Sequence, residues 1–335
     1  MRKLQLFILL AAMMLAAPAC KNKAGKILPN VSGKAGEVLV VSEKIWWSGA
    51  AGMILRDSLT ADCPYLPQKE PLYSLVTVTP SNFTQMFQIH RNIVMLNINA
   101  GVNVPGIVYN MNKWASPQLV ITVNASTQDE AADLLEKNMH TIISTIEQTE
   151  RDRVVSNTRK YQERKLAEVV HDFTRGGNMV FPSGYSLKKR TEDFLWISYE
   201  TTYVQQGIFI SRHPATHKKS ELTPEALVDR RNALLKANVP GMFEGTYMTT
   251  SRVIAPSVKY AAYKDIRFAE LRGFWDVEGD FMGGPFVSHT FYSPSGDELI
   301  CIEAYVYAPK YDKRLYLRQI ESLLYGFEWD KAEEE

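Results

Sequence analysis

The stretch TQDEAADLLEKNMHTIISTIEQTERDRVVSNTRKYQERKLAEVVHDFTRGG, residues 127–177, separates two halves of different pattern. From 128 to 175 it holds no Gly and no Pro, the strongest helix breakers. Thr127 with Glu130 reads as a capping box at its start, and Gly176-Gly177 ends it. As one helix its 48 residues would run about 72 Å, longer than a domain. Leu135, Met139, Ile142 and Ile146 keep a packing stripe, whereas nine of the sixteen residues across 150–165 are charged. The segment therefore reads as a packed helix running on, kinked, into a solvated connector that joins two lobes.

Upstream, the apolar run 38–41 reads as a buried strand, and 72–78, 93–98 and 119–123 read as further strands. A helix is predicted over 45–59, with Gly49 and Gly52 permitting close packing, and Cys63-Pro64-Tyr65-Leu66-Pro67 breaks it. Ser81 reads as the cap of a short turn carrying Phe83 and Phe87. This half is predicted to be a mixed sheet with helices packed on it.

Downstream the pattern becomes strand-rich, with 185–189, 194–204 and 207–212 joined by turns. Thr223-Pro224-Glu225 starts a helix that ends near Asn238, before Pro240-Gly241. Strand 258–263 and a hairpin of 286–293 with 299–307 follow, and Ile300, Ile302, Ala304 and Val306 share one face that must point to a core. Tyr316, Ile320, Leu323, Leu324 and Phe327 give a closing helix its apolar stripe. The fold class is α+β in two domains, with an N-terminal mixed sheet over 37–150, a helical connector over 151–176, and a C-terminal antiparallel sheet with two helices over 177–330. An acidic tail, 331–335, closes the chain.

With 38 Lys plus Arg against 37 Asp plus Glu, the net charge is +1 and falls to about −1 if Arg2 and Lys3 are removed with a leader. A near-neutral chain has no long-range attraction for phosphate backbones, which argues against nucleic-acid binding. The composition, 45% hydrophobic and 22% charged, is that of a globular protein and not of a disordered or multi-span membrane chain.

Residues 1–19 have the form of a signal peptide: a basic start, then an apolar core across 4–17 that is too short for the roughly 20 apolar residues of a spanning helix. Ala17-Pro18-Ala19-Cys20 resembles a bacterial lipobox, which implies cleavage before Cys20 and acylation of its thiol and amino group, palmitate included. At about 0.8 kcal/mol per buried methylene, two or three acyl chains would hold the protein on a bilayer. Residues 20–36 read as the lipidated cysteine and a flexible tether, basic at Lys21, Lys23 and Lys26. That charge is opposite in sign to the acidic export signal of surface lipoproteins in Bacteroidota, which points to the periplasmic face of the outer membrane.

Leu66-Pro67-Gln68-Lys69-Glu70-Pro71 before the second strand and His90-Arg91-Asn92-Ile93-Val94 leading into the third, together with the lipobox-like start, resemble uncharacterised Bacteroidota lipoprotein families known only as domains of unknown function. What the resemblance implies is a cell-envelope location and no particular activity. In the second half the order of elements loosely resembles PsbP-like domains, an analogy of fold alone.

The remaining motifs are weaker. His213 and His217 have metal-pair spacing, but Pro214 lies between them and no third ligand is near, so no metal is assigned. Ser186-Leu187-Lys188-Lys189 matches the Ser-x-x-Lys of penicillin-recognising enzymes, yet falls in a strand where Lys cannot return to Ser. The run 279–284 is a turn without the Gly-Lys-Ser/Thr of a phosphate loop. Cys63 and Cys301 read as separate thiols, with a bridge between the halves as the alternative in an oxidising compartment. Asp57-Ser58-Leu59 matches a Bacteroidota O-glycosylation acceptor at Ser58. Adjacent Trp46 and Trp47 offer a stacking platform for a ligand, against a packing role.

No constellation identifies a reaction, a cofactor or a catalytic residue. The function expected is that of a lipid-anchored envelope module, binding or structural rather than enzymatic, with a protein, glycan or lipid partner. The alternative is an envelope hydrolase whose site is assembled from dispersed residues at the domain boundary, for example around Ser288 and His289.

Overall fold

The computed structural model describes residues 27–331; the leader, Cys20 and the first part of the tether, and tail residues 332–335, lie outside the described residues. The first half is built on a five-stranded sheet of β1 (Glu37–Val41), β2 (Ser74–Val78), β3 (Asn92–Ile98), β4 (Gly106–Met111) and β5 (Leu119–Ala125), in the order β2-β1-β3-β5-β4. Only the β4–β5 pair is antiparallel. Parallel strands covered on both faces read as continuous apolar runs, which is why EVLVV in β1 carries no polar alternation. Val38, Val40, Val94, Ile121 and Val123 pack beneath helices α2 (Ala50–Leu59) and α4 (Gln128–Lys160). Leu39, Val41, Ile93 and Val120 face the other way, under Phe83, Phe87 and Trp114. The turn that carries Phe87 is α3 (Gln85–Gln88), and its cap position is Thr84 rather than Ser81.

The helix predicted over 45–59 is two helices: α1 (Lys44–Ser48) precedes α2, and Gly49 between them is extended, with φ −93° and ψ −170°. Side-chain packing at the break leaves no room for a Cβ at Gly49, where the Gln128 side chain sits.

The long helix differs from its sequence reading in two ways. It stops at Lys160; Tyr161, Gln162 and Glu163 leave helical geometry, and α5 (Arg164–Thr174) restarts. The break is imposed from outside. The Glu163 N–H donates to Phe181 O at 2.9 Å, the Gly184 N–H donates to Glu163 Oε1 at 2.9 Å, and Gln162 bridges Pro182. These bonds replace those lost along the helix, so local propensity is overridden. The charge run is a solvated face only in part: Asp152, Arg159, Lys160, Arg164 and Lys165 are exposed, but Glu150 and Arg153 are buried. Arg91 clamps Glu150 through two bonds of 2.9 and 2.7 Å, and Arg153 donates to Glu150 at 2.6 Å and to Asn92 Oδ1 at 2.8 Å.

The tether assigned to 20–36 also ends earlier than read. Ser32 and Arg91 exchange backbone bonds with the neighbouring segment, Ser32 N–H to Ile89 O at 2.8 Å and Arg91 N–H to Ser32 O at 3.0 Å, so this part lies against the body.

The second half is an eight-stranded antiparallel sheet of β7 (Ser186–Arg190), β8 (Phe194–Glu200), β9 (Gln205–Pro214), β10 (Tyr247–Thr250), β11 (Ser257–Tyr263), β12 (Ile266–Glu278), β13 (Gly283–Tyr292) and β14 (Glu298–Tyr307). Its order is β10-β12-β13-β14-β9-β8-β7, with β11 also on β12. A two-stranded ribbon joins β6 (Gly177–Asn178) to β15 (Glu328–Trp329). Ile300, Ile302, Ala304 and Val306 face one core, as their alternation predicts, with Ile320, Leu323 and Leu324 of α7 (Arg314–Tyr325). Leu166, Val170 and Phe173 of α5 enter the same core, a third helix on this sheet beside the two read from sequence. The opposite face is closed by α6 (Pro224–Asn238), over Phe209, Leu271, Phe286 and Tyr305. The fold class, α+β with a mixed sheet first and an antiparallel sheet second, is as the sequence indicates.

Candidate functional site

Helices α4 and α7, one from each half, meet directly, and clefts open on both flanks of the contact. On one flank a cleft of about 560 Å³ is lined by Cys63, His140, Glu147, Arg151, Arg272 and Glu321, among others. Its arginines and carboxylates pair across it. Arg318 donates to Glu147 at 2.6 and 3.2 Å, and the Tyr73 hydroxyl donates to the same carboxylate at 2.6 Å. Arg272 donates to Glu321 at 2.8 and 3.2 Å, and Arg151 reaches it at 3.0 Å while lying 3.7 Å over the Tyr325 ring.

Beyond Arg272 stands Glu270, which accepts from the Tyr325 hydroxyl at 3.0 Å. Nε2 of His289 is 3.5 Å from Glu270, at the outer limit of a hydrogen bond and without another described partner, and the ring stacks 4.1 Å from Phe268. Burial opposes ionisation of Glu321, but Arg272 and Arg151 overcome it and draw its carboxyl down to about 2. Burial acts likewise on Glu270, and His289 with Arg272 holds it well below the usual carboxylate range. Burial pushes the His289 imidazole down. The Cys63 thiol is pushed up by burial to about 11, the opposite of an activated nucleophile.

The other flank holds a larger cleft, about 680 Å³, lined by residues of α4, the break at 161–163, the 182–183 turn and the start of α7. At its edge Glu70 accepts the backbone N–H groups of Lys313 and Arg314 at 2.7 and 2.9 Å.

The residues that sequence reading singles out are scattered. Trp46 and Trp47 are both half-buried against the first core, and the Trp47 ring lies 4.7 Å from the Arg56 guanidinium. Ser58 is half-buried in the last turn of α2. Cys63 lies in a loop of the first half and Cys301 on β14, and both thiols are free. Ser288 and His289 point to opposite faces of β13, as neighbours in a strand must, with Ser288 beneath α6 and His289 against α7, so they form no dyad. His213 bonds Ser211 Oγ at 3.2 Å and His217 stacks on Tyr292, and no group of three metal-binding side chains occurs among the described residues. Ser186 and Lys189 lie in strand β7, where the Lys189 ammonium donates to Asn238 O.

Sequence reading misses the interlobe charges. For the buried charges of the same helix within the first half the signal was present in the spacing, because Leu135, Met139, Ile142 and Ile146 continue at the same helical interval into Glu150 and Arg153. The quoted motifs have structural work as well: Glu70 of the 66–71 segment caps α7, and Arg91 and Asn92 of the 90–94 segment hold Glu150.

Residues 163–326 match the model of a domain of unknown function, DUF4837, and residues 31–159 match that of a second, DUF8532. No curated protein matches the chain. Among solved structures, one from Bacteroides thetaiotaomicron is similar over 47% of this chain and 46% of its own, at 10% identity and TM-score 0.25. The chain thus spans less than half the length of that structure. The Saccharomyces cerevisiae Ran-binding protein Mog1p is similar over 46% of this chain and 90% of its own, at 8% identity and TM-score 0.30. LpqN, involved in cell envelope biogenesis of Mycobacterium tuberculosis, is similar over 45% and 80%, at 13% identity and TM-score 0.27.

Proposed function

We propose that this chain, whose halves both match families of unknown function, is a lipid-anchored binding or structural module of the bacterial cell envelope. In this reading the acyl chains sit on Cys20, the body stands on the periplasmic face of the outer membrane, and the interlobe region meets an envelope partner. The lipobox-like 17–20 segment supports the anchor. Among the described residues no helix is long and apolar enough to cross a membrane.

The observation that carries binding over hydrolysis is the state of the acid–base groups between the lobes. Glu147, Glu270 and Glu321 are each engaged by arginine, and the thiol beside them is held protonated. A hydrolytic centre needs a base poised near the working pH and in reach of a nucleophile. Here Glu270 and Glu321 are drawn the other way, toward full ionisation.

Three measurements test the reading. Globomycin, or Cys20→Ala, should block processing and move the protein out of the membrane fraction; an unchanged soluble product would remove the anchor. Crosslinking and pull-down from intact envelopes should return a partner attached near α4 or α7. Turnover of an envelope ester, amide or glycoside that Glu270→Gln abolishes would replace binding with catalysis.

A further inference from the structure

The two interlobe clefts differ in one chemical respect: the smaller is dominated by the ion pairs Arg318–Glu147 and Arg272–Glu321, whereas the larger also presents several polar groups without a described partner. Asn157 and Gln319 are exposed, and neither amide bonds to another described residue. Asp312 makes no ion pair among the described residues. Tyr161, Tyr311 and Tyr316 bring three aromatic rings to the same cleft, and their hydroxyls bond to no described residue. Tyr161 is 71% exposed and Tyr311 48%, yet neither sits on loose backbone. The Tyr161 N–H donates to Thr158 O at 3.0 Å and its carbonyl accepts from Ser183 Oγ at 2.9 Å, while the Tyr311 carbonyl accepts from Lys313 Nζ at 3.1 Å. Arg318 also lines this cleft; its Nη1, which lies beside Gly36 and Leu315, is buried without a described partner.

Exposed aromatic faces on fixed backbone, flanked by amides and hydroxyls that can both donate and accept, suit a ligand that has apolar C–H faces and a rim of hydroxyls. The cations nearby are largely committed: the Arg314 guanidinium binds Pro71 O, and Arg318 clamps Glu147 through Nε and Nη2, leaving only its buried Nη1 free. A polyanion would find Asp312 and no free guanidinium at the surface. The volume, about 680 Å³, lies within the roughly 300–1,000 Å³ of small-ligand clefts. We infer that the cleft between α4, the break at 161–163 and the start of α7 is a binding site for a neutral oligosaccharide. Tyr161 and Tyr311 stack on its rings, and Asn157, Gln319 and Asp312 hold its hydroxyls. This rests on the envelope-module reading and adds the ligand class.

The test is a glycan array of neutral glucose, galactose, mannose, rhamnose and N-acetylglucosamine oligomers beside uronic-acid and sialylated ones, probed with the full chain in detergent. A neutral spot is expected to bind, with affinity reduced at least tenfold by Tyr161→Ala and by Gln319→Ala, and unchanged by Trp47→Ala. Melting curves for each variant establish that these exposed substitutions leave the fold intact. Binding to acidic glycans alone, signal equal to that of a Tyr161→Ala/Tyr311→Ala double variant on every spot, or loss with Trp47→Ala instead, would overturn it. Membrane fractionation and partner capture are read separately, so a failed array leaves the anchored-module reading standing or falling on its own results.

Discussion

The carboxylate of Glu70 accepts the backbone N–H of Lys313 at 2.7 Å, across 243 positions of sequence. Its second oxygen takes the N–H of Arg314 at 2.9 Å, so a loop of the first half caps a helix of the second. At the cap position itself Lys313 supplies no side-chain acceptor. Helix ends need such an acceptor for their free N–H groups, and here it comes from a remote segment.

Glu70→Ala should destabilise the protein by about 1–2 kcal/mol, the range for loss of a helix cap. Urea denaturation followed by circular dichroism measures this. An unchanged midpoint would show that the cap contributes nothing net.

Arg318 and Glu147 form a pair whose side chains are 9% and 19% exposed. Removing one partner of a buried pair leaves the other charge stranded, which costs about 3–5 kcal/mol. Arg318→Met should fall in that range, and Arg318→Met combined with Glu147→Leu should recover part of the loss. A double-mutant cycle with no coupling energy would contradict the contact.

The acid limb of stability follows from Glu321. Its pKa is about 2 in the folded protein against an ordinary 4.5, so the folded state is the stronger acid. A depressed carboxyl stabilises fully above pH 4.5, and that contribution drains away as pH falls toward 2. Unfolding free energy should therefore drop steeply between those limits, with Glu270 acting in the same direction. Glu321→Gln should flatten the profile while lowering stability at pH 7.

Gly52 lies inside α2, where Gly→Ala normally stabilises by up to about 1 kcal/mol. Here the added Cβ would stand 2.1 Å from the Trp47 carbonyl oxygen, a backbone atom that can yield only if α1 shifts. The sign should reverse, with a loss of about 1–3 kcal/mol as for other overpacked sites, and Trp fluorescence should report displacement of α1. A stabilised Gly52→Ala would refute the packing.

Burial pushes the thiols of Cys63 and Cys301 both up to about 11. Little thiolate exists at pH 8, so iodoacetamide should label them slowly in the native protein and quickly in guanidinium. Mass spectrometry after non-reducing digestion should find both unbridged. A Cys63–Cys301 peptide would contradict the arrangement, in which the two lie in different halves.

Elements governed by near neighbours were legible in the amino-acid order alone. Alternation at Ile300, Ile302, Ala304 and Val306 named the core face of β14, the apolar run at 38–41 marked a buried strand, and Thr223-Pro224 marked the start of α6. These follow from backbone period and capping, which act over a few residues. Folding alone decided the features whose partners are distant. The kink expected somewhere along 128–175 is a full break at 161–163 because the 181–184 segment supplies competing hydrogen bonds. Glu150 is buried in a charged run because Arg91 and Asn92 arrive from β3 to pair with it. Tyr161 and Tyr311 share one cleft because α4 and α7 cross. A charge or an aromatic ring reads the same in sequence whether water or a partner faces it, and its partner is set by long-range packing.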